Sequence, residues 1–225
     1  MIYEGDCMEA MKEMKDNAYE LAIVDPPYGV GMDMVYSHGT SKNGTIHEKK
    51  EWNNLPPKED YFIELHRVSK NQIIWGCNYY AQWIPAVGRI IHDKQLQIEG
   101  TALRWSEGDL ASCSLQKRIT IFRYRWNGNV QGKTINWKNT GLDARIHPTQ
   151  KPVALYKWLL KNYAKPGDKI LDTHLGSGSS AIAAYEMGFD FTGYELDHDY
   201  FMAAQDRIER HKSQGRLFEP QAVAQ

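Results

Sequence analysis

Lys169-Ile-Leu-Asp172-Thr-His174-Leu-Gly176-Ser-Gly178-Ser-Ser180, followed at once by Ala181-Ile-Ala-Ala-Tyr-Glu-Met187, is the stretch that decides the fold. Its first four residues have the character of a short buried strand, two glycines open a tight loop, and the small and apolar residues beyond suit a helix packed on a sheet. Gly188 stops that helix, Phe189 to Tyr194 reads as a second strand ending at Glu195, and Asp197 to His211 as an amphipathic helix. Strand, loop, helix and strand in this order predict a parallel, doubly wound α/β unit. Upstream, Pro152 followed by Val153, Leu155, Trp158, Leu159 and Leu160 reads as a helix, closed by the turn Lys165-Pro166-Gly167.

The N-terminal part repeats this grammar. Met8 to Met14 has helical spacing, Leu21 to Val24 is a buried strand stopped abruptly by Asp25-Pro26-Pro27-Tyr28, and Tyr61 to Val68 is a helix. The strand Gln72 to Trp75 with its Gly76-Cys-Asn loop follows, then Arg89 to His92. Between these, the polar, glycine-containing run from Gly29 to Trp52 predicts a long loop over a site, because so long a loop after a strand end in a compact domain is usually functional.

The chain has 225 residues, 42% of them hydrophobic, enough for one core. We expect a single domain over 1–212, with the loop near 29–52, a small insertion near 100–146 and a frayed tail over 213–225. Cys7, Cys77 and Cys113 are far apart and form neither a CxxC pair nor a metal-ligand spacing, so neither a disulfide framework nor a metal site is expected. No apolar run reaches membrane-spanning length and no secretory signal opens the chain, which predicts a cytoplasmic protein without a membrane partner. The net charge of -1 gives no global attraction for nucleic acid. From Leu110 to Leu142, however, Lys117, Arg118, Arg123, Arg125, Lys133 and Lys138 occur without one acid, interleaved with Phe122, Tyr124, Trp126 and Trp137. Such a surface suits phosphate contact, with Arg123, Arg125 and Lys133 as candidates; half-exposed strands with basic residues facing water would give the same pattern.

Gly176 and Gly178 let a ligand approach the backbone closely, and the helix that follows offers unpaired N–H groups. Glu195 stands at the end of the next strand, where an acid can accept both hydroxyls of a ribose. Nicotinamide dinucleotides fit poorly, because the third glycine of their fingerprint is a serine here; a P-loop is excluded because no lysine follows the second glycine. With Asp172 just before the loop, a cofactor with a cationic amino-acid end fits better than a pyrophosphate, which points to S-adenosylmethionine.

Asp25-Pro26-Pro27-Tyr28 supplies a second chemistry. Prolines fix the backbone and donate no hydrogen bond, which leaves the Pro26 carbonyl as an acceptor. The amine of an aromatic base is a poor nucleophile because its lone pair is delocalised. If Asp25 and the Pro26 carbonyl each accept one N–H, the nitrogen can pyramidalise towards a methyl donor while Tyr28 stacks on the ring.

Asp25-Pro-Pro-Tyr28, then His147-Pro-Thr-Gln-Lys-Pro152, then Asp172-Thr-His-Leu-Gly-Ser-Gly178, in this order, resemble the beta-class amino-methyltransferases of DNA. Gly5-Asp6-Cys7, the run Arg67 to Gly76 and the run Ile121 to Trp126 resemble the compact phage-type members, so the likeness spans nearly the whole chain. It implies a class I S-adenosylmethionine-dependent methyltransferase fold, Rossmann-like, with a seven-stranded, mostly parallel sheet, circularly permuted so that the catalytic half comes first. It implies that Asp25, Pro26, Pro27 and Tyr28 hold the target amine. Asp6 and Cys7 would meet the adenine edge of the cofactor, and Glu195 with Leu196 its ribose side. His147, Thr149 and Lys151 would lie around its methionine end, and Asp172, His174, Gly176, Ser177 and Gly178 along the loop. The partner would be double-stranded DNA with the target base flipped out; a homodimer is left open. One departure is that the family usually has Pro-Phe where this chain has Thr173-His174. Adenine N6 is the expected target. The alternatives are cytosine N4, reached by the same geometry, and a DNA-binding homologue without catalysis. Cytosine C5 chemistry is disfavoured because no cysteine stands in a Pro-Cys setting.

Overall fold

The structure, a computed structural model, describes residues 1–30, 55–96, 106–126, 130–131, 134–135 and 145–214. Most of the expected loop over 29–52, Lys133 and residues 215–225 of the tail lie outside them. Chain order begins with β1 (Ile2–Glu4), α1 (Cys7–Glu13), β2 (Leu21–Val24), α2 (Glu59–Val68), β3 (Gln72–Trp75), β4 (Gly88–Asp93), β5 (Gly108–Cys113) and β6 (Ile119–Arg123). It continues with β7 (Val130–Gln131), β8 (Thr134–Ile135), α3 (Val153–Tyr163), β9 (Lys169–Asp172), α4 (Ser179–Met187), β10 (Asp190–Glu195) and α5 (His198–Ser213).

One sheet of eight strands runs in the order β1-β10-β9-β2-β3-β5-β4-β6, and β7 pairs with β8 apart from it. The strands are parallel except β5, which runs antiparallel between β3 and β4. The half that carries Asp25 does precede the glycine-loop half in the chain, but among the described residues the sheet has eight strands rather than seven. The stretch expected as a small insertion near 100–146 feeds β5 and β6 into the sheet, and β6 pairs in parallel with β4 at its edge.

Both faces of the sheet are covered, as the apolar runs of its inner strands require. Successive side chains of a strand point to opposite faces. Leu21, Ile23, Ile73, Trp75 and Ile170 therefore join one core with Leu155, Leu159, Ile182 and Ala183 from α3 and α4. Ala22, Val24, Ile74 and Leu171 join the other with Met11 of α1 and Phe62 and Leu65 of α2. Among the described residues, no helix is long and apolar enough to cross a membrane.

The loop between β9 and α4 is braced from both sides. The buried Asp172 carboxylate accepts the His174 N–H (3.1 Å) and the Ser180 hydroxyl (2.5 Å). From α5, the buried Arg207 guanidinium donates to the Ser177 carbonyl (2.6 Å) and the Ser179 hydroxyl (3.0 Å). Arg207→Met keeps the stem but strands the Ser177 carbonyl. We expect it to cost about 1.5–3 kcal/mol of stability with an unchanged denaturant slope in urea unfolding; an unaltered midpoint would show that the brace contributes nothing.

Candidate active site

In an open α/β sheet, ligands bind outside the carboxyl ends of the strands where the strand order reverses. Here the order reverses between β9 and β2, and a cavity of about 490 Å³ opens there. Its walls come from the ends of β1 (Gly5 to Met8), β10 (Glu195 to Asp197), β9 (Thr173 to Ser177) and β2 (Asp25 and Pro27). Leu55 to Lys58, Tyr61, His147, Thr149, Gln150, Lys151 and Tyr156 complete it.

At the β2 end, Asp25 is held in a charged cluster. Its Oδ2 is 2.5 Å from Lys151 Nζ and its Oδ1 accepts the Tyr28 hydroxyl at 2.6 Å, while Lys151 Nζ lies 3.2 Å from the Tyr28 oxygen. Burial and the neighbouring Asp25 push the Tyr28 phenol well above its ordinary range, so it remains a donor. Nearby, Asp109 accepts Lys94 at 2.8 Å. Burial alone would raise its carboxyl, but the charge of Lys151, together with the His92 ring and the Lys94 ammonium beside it, outweighs burial and holds it below the usual range. Burial would likewise lower Lys151, yet Asp25 and Asp109 raise it. Two acids and two lysines thus form a neutral group. Lys151, expected at the methionine end of a cofactor, lines the cavity and is a direct partner of Asp25, with its Nζ over the Trp75 ring, 5.4 Å from the centroid.

The turn itself differs from expectation in two respects. Pro26 is buried, and its carbonyl is not left open: the Tyr80 hydroxyl lies 2.8 Å from Pro26 O and 2.7 Å from Pro27 O. One face of Tyr28 already carries the Tyr79 ring, at 5.0 Å and 17°. The edge of Tyr28 sits over Gly76 (φ +71°), where a Cβ would come within 2.2 Å of it. Tyr79 and Tyr80 were not singled out from the sequence, although an aromatic pair just after a strand end was a readable signal. Asp109 lies on β5 and gave none.

At the other end of the cavity, Glu195 Oε2 accepts the Gly176 N–H (2.7 Å) and Oε1 the Asp197 N–H (3.0 Å). Burial leads in raising its carboxyl above the ordinary value. Each oxygen keeps a second lone pair for a ligand hydroxyl. Asp6 caps α1 through the Met8 N–H (2.8 Å) and lines the cavity with Cys7, whose thiol is pushed up to about 12 by burial and by Asp6. The His147 ring packs against Tyr200 at 4.4 Å, and its Nδ1 lies 3.2 Å from the Thr149 hydroxyl. Ser177 and the exposed Leu196 line the cavity, but Gly178 and Asp172 do not. Gly178 (φ +75°) holds a left-handed backbone conformation that favours glycine, and a Cβ there would also lie 3.0 Å from Ile208 of α5. Asp172 holds the loop from beneath. Arg123 and Arg125 are exposed on and just after β6, away from the cavity lining; Arg123 lies 3.5 Å from Asp93, and Arg125 Nε donates to Gln95 O at 3.3 Å.

Burial raises the Asp172 carboxyl to about 7 and lowers the His174 imidazole to about 4. Between about pH 4 and 6.5, the folded chain therefore holds a proton on Asp172 that the unfolded chain has released, and lacks on His174 one that the unfolded chain carries. The first makes stability fall as pH rises and the second makes it rise, so the two offset one another. Asp172→Asn is expected to unmask the rise, by up to about 1.4 kcal/mol per pH unit, and His174→Phe the opposite slope. Parallel stability–pH curves for both variants and the wild type in urea unfolding would contradict this.

A family model described as DNA methylase matches residues 93–206, just over half of the chain. YubD of Escherichia coli (strain K12), a methylase by name, is 28% identical over 219 residues, covering 91% of this chain and 88% of that one. Among solved structures, the M1.HpyAVI–SAM complex superposes with a TM-score of 0.56 at 18% identity, covering 92% of this chain and 98% of that one. The PvuII DNA methyltransferase, described as cytosine-N4-specific, gives 0.57 at 11% identity over 94% and 89%. The fold is thus that of these DNA methyltransferases, and with the matched stretch running from the end of β4 through the glycine loop and Glu195 into α5, the chain belongs to the N6/N4 DNA methylase family.

Proposed function

We propose that this enzyme transfers a methyl group from S-adenosylmethionine to the N6 amine of an adenine flipped out of duplex DNA. The observation that carries the reading is that one cavity joins the Asp25 carboxylate at the end of β2 to the Gly176 loop and Glu195 at the ends of β9 and β10. The donor set suits the cofactor: Glu195 for ribose hydroxyls, Asp6 and Leu196 beside it, and His147 with Thr149 over the loop. When bound, S-adenosylmethionine supplies an electrophilic methyl on a sulfonium.

The chain's own part is orientation and hydrogen-bond acceptance. Asp25 is already ordered by Lys151 and by the Tyr28 hydroxyl. An incoming amine takes one oxygen of that carboxylate for one N–H. The second N–H falls to the Pro26 carbonyl, and because the Tyr80 hydroxyl also reaches Pro27 O, it can rest there without losing its bond. With both N–H groups accepted, the nitrogen lone pair is freed from the ring. As the N–C bond forms, the methyl's bond to sulfur would break with the pair kept by sulfur as a neutral thioether, and the proton in excess on nitrogen leaves along the hydrogen bond to Asp25. Adenine is favoured over cytosine by size: a site deep enough for a purine holds a pyrimidine with its amine displaced, and about 1 Å of misplacement costs on the order of a hundredfold.

Asp25→Ala is expected to lower methyl transfer by about 10²–10⁴-fold while binding of S-adenosylhomocysteine stays close to the wild-type value. Near-normal turnover would remove Asp25 from the chemistry. Digestion of methylated duplex DNA and mass spectrometry should find N6-methyladenine; mainly N4-methylcytosine would overturn the adenine assignment and keep the amine-directed mechanism. DNA contact by the basic segment is tested separately. Arg123→Ala and Arg125→Ala should each reduce the log–log salt dependence of DNA binding by about 0.9, and an unchanged slope in both would return these residues to solvent-facing edge charges.

A further inference from the structure

Thr173 and His174 stand where Pro-Phe was expected, and their geometry gives them a capacity that a phenyl ring lacks. The Tyr61 hydroxyl, on a residue 3% exposed, lies 2.6 Å from Thr173 Oγ1, and Thr173 Oγ1 lies 2.9 Å from His174 Nδ1. The chain of hydrogen bonds can run in two directions. In one, the phenol donates to threonine and threonine donates to Nδ1, which leaves the ring proton on Nε2. In the other, Nδ1–H donates to threonine and threonine to the phenol oxygen, and the phenol proton then has no acceptor among the described residues. An unmade hydrogen bond in a nearly closed setting is costly, so the first direction prevails. His174 lines the cavity, and among the described residues the buried polar side-chain atoms without a partner are Trp75 Nε1 and His92 Nδ1. Nε2 of His174 is therefore open to the cavity, as a donor.

We propose that Tyr61, Thr173 and His174 form a relay that locks the Nε2–H tautomer and presents it to the carboxylate of the cofactor's amino-acid end. This rests on the S-adenosylmethionine reading above. The strand order supplies the address: β9 lies between β10, which ends at Glu195, and β2, which ends at Asp25. A donor at the end of β9 falls between the ribose acid and the target amine, where the sulfonium and the amino-acid end belong. Of these groups, the sulfonium and the ammonium accept nothing, which leaves the carboxylate. A neutral ring also avoids placing an imidazolium beside a sulfonium, and burial keeps the imidazole neutral. His174 is on this account a cofactor-binding residue, with Tyr61 and Thr173 as positioning residues.

Calorimetry with S-adenosylmethionine and with its decarboxylated analogue, on the wild type and on His174→Phe, Thr173→Val and Tyr61→Phe, tests the relay. The wild type should bind S-adenosylmethionine, and His174→Phe should bind it about tenfold more weakly with little change towards the decarboxylated analogue. Thr173→Val and Tyr61→Phe should show a smaller loss of the same selectivity. Nitrogen NMR of histidine-labelled protein should show His174 as the Nε2–H tautomer in the wild type and a mixture in Thr173→Val. Equal losses for both ligands, or none, would overturn the proposal, as would an Nδ1–H tautomer in the wild type. Failure of the wild type to bind either ligand would instead bring down the cofactor reading, and the relay's role with it.

Discussion

The pairing of β9 with β2 is the constraint on which everything else depends. Leu21 faces Ile170 and Ala22 faces Leu171, and through this short register two halves far apart in sequence become neighbours. The half that carries Asp25 and the half that carries the glycine loop each have an α/β layout of their own. Neither alone lines a cavity with both Asp25 and Glu195. Because parallel strands point their carboxyl ends the same way, this one pairing brings Asp25 and the Gly176 loop to the same edge of the sheet. The alternating side chains of those strands then knit the cores on both faces.

Much of this was legible because it was local. β2, β3 and β9 have the expected bounds, since each is a short apolar run ended by a proline, a glycine or an acid. The sharp turns at Asp25 and Gly176 announced where the cavity lies. β5 was not legible: Ala111, Ser112 and Cys113 are buried by their neighbours, and small residues give no hydrophobic period. β6 read as an exposed basic strand, and its side chains do alternate between exposed and half-buried; its place at the sheet edge depends on backbone pairing with β4, to which no side chain testifies. In the site, the sequence located Asp25 and Lys151 but not their ion pair, and it gave no sign that Asp109 and Lys94 would balance their charges.

That cluster has an energetic meaning. Lys151 is buried and Asp25, Asp109 and Lys94 are half-buried, which sacrifices hydration, and such a group is poor evidence of stability for its own sake. On the proposed mechanism its value is that Asp25 is ordered before any substrate arrives, so that no reorganisation would be required when the amine binds. Tyr28 and Tyr80 would extend the same economy, since each hydroxyl occupies a position that the proposed substrate would take over by a shift of partner.

The place of β1 has a consequence for how the chain assembles. Ile2 to Glu4 pair with Gly193 to Glu195, so β1 is made long before the strand it pairs with. Contacts of such sequence separation form slowly. Until they form, the free edge of β10 is an open template for a strand of another molecule. β1 thus acts as a closing strip that ends this exposure, and the same pairing brings Gly5 to Met8 to the rim of the cavity.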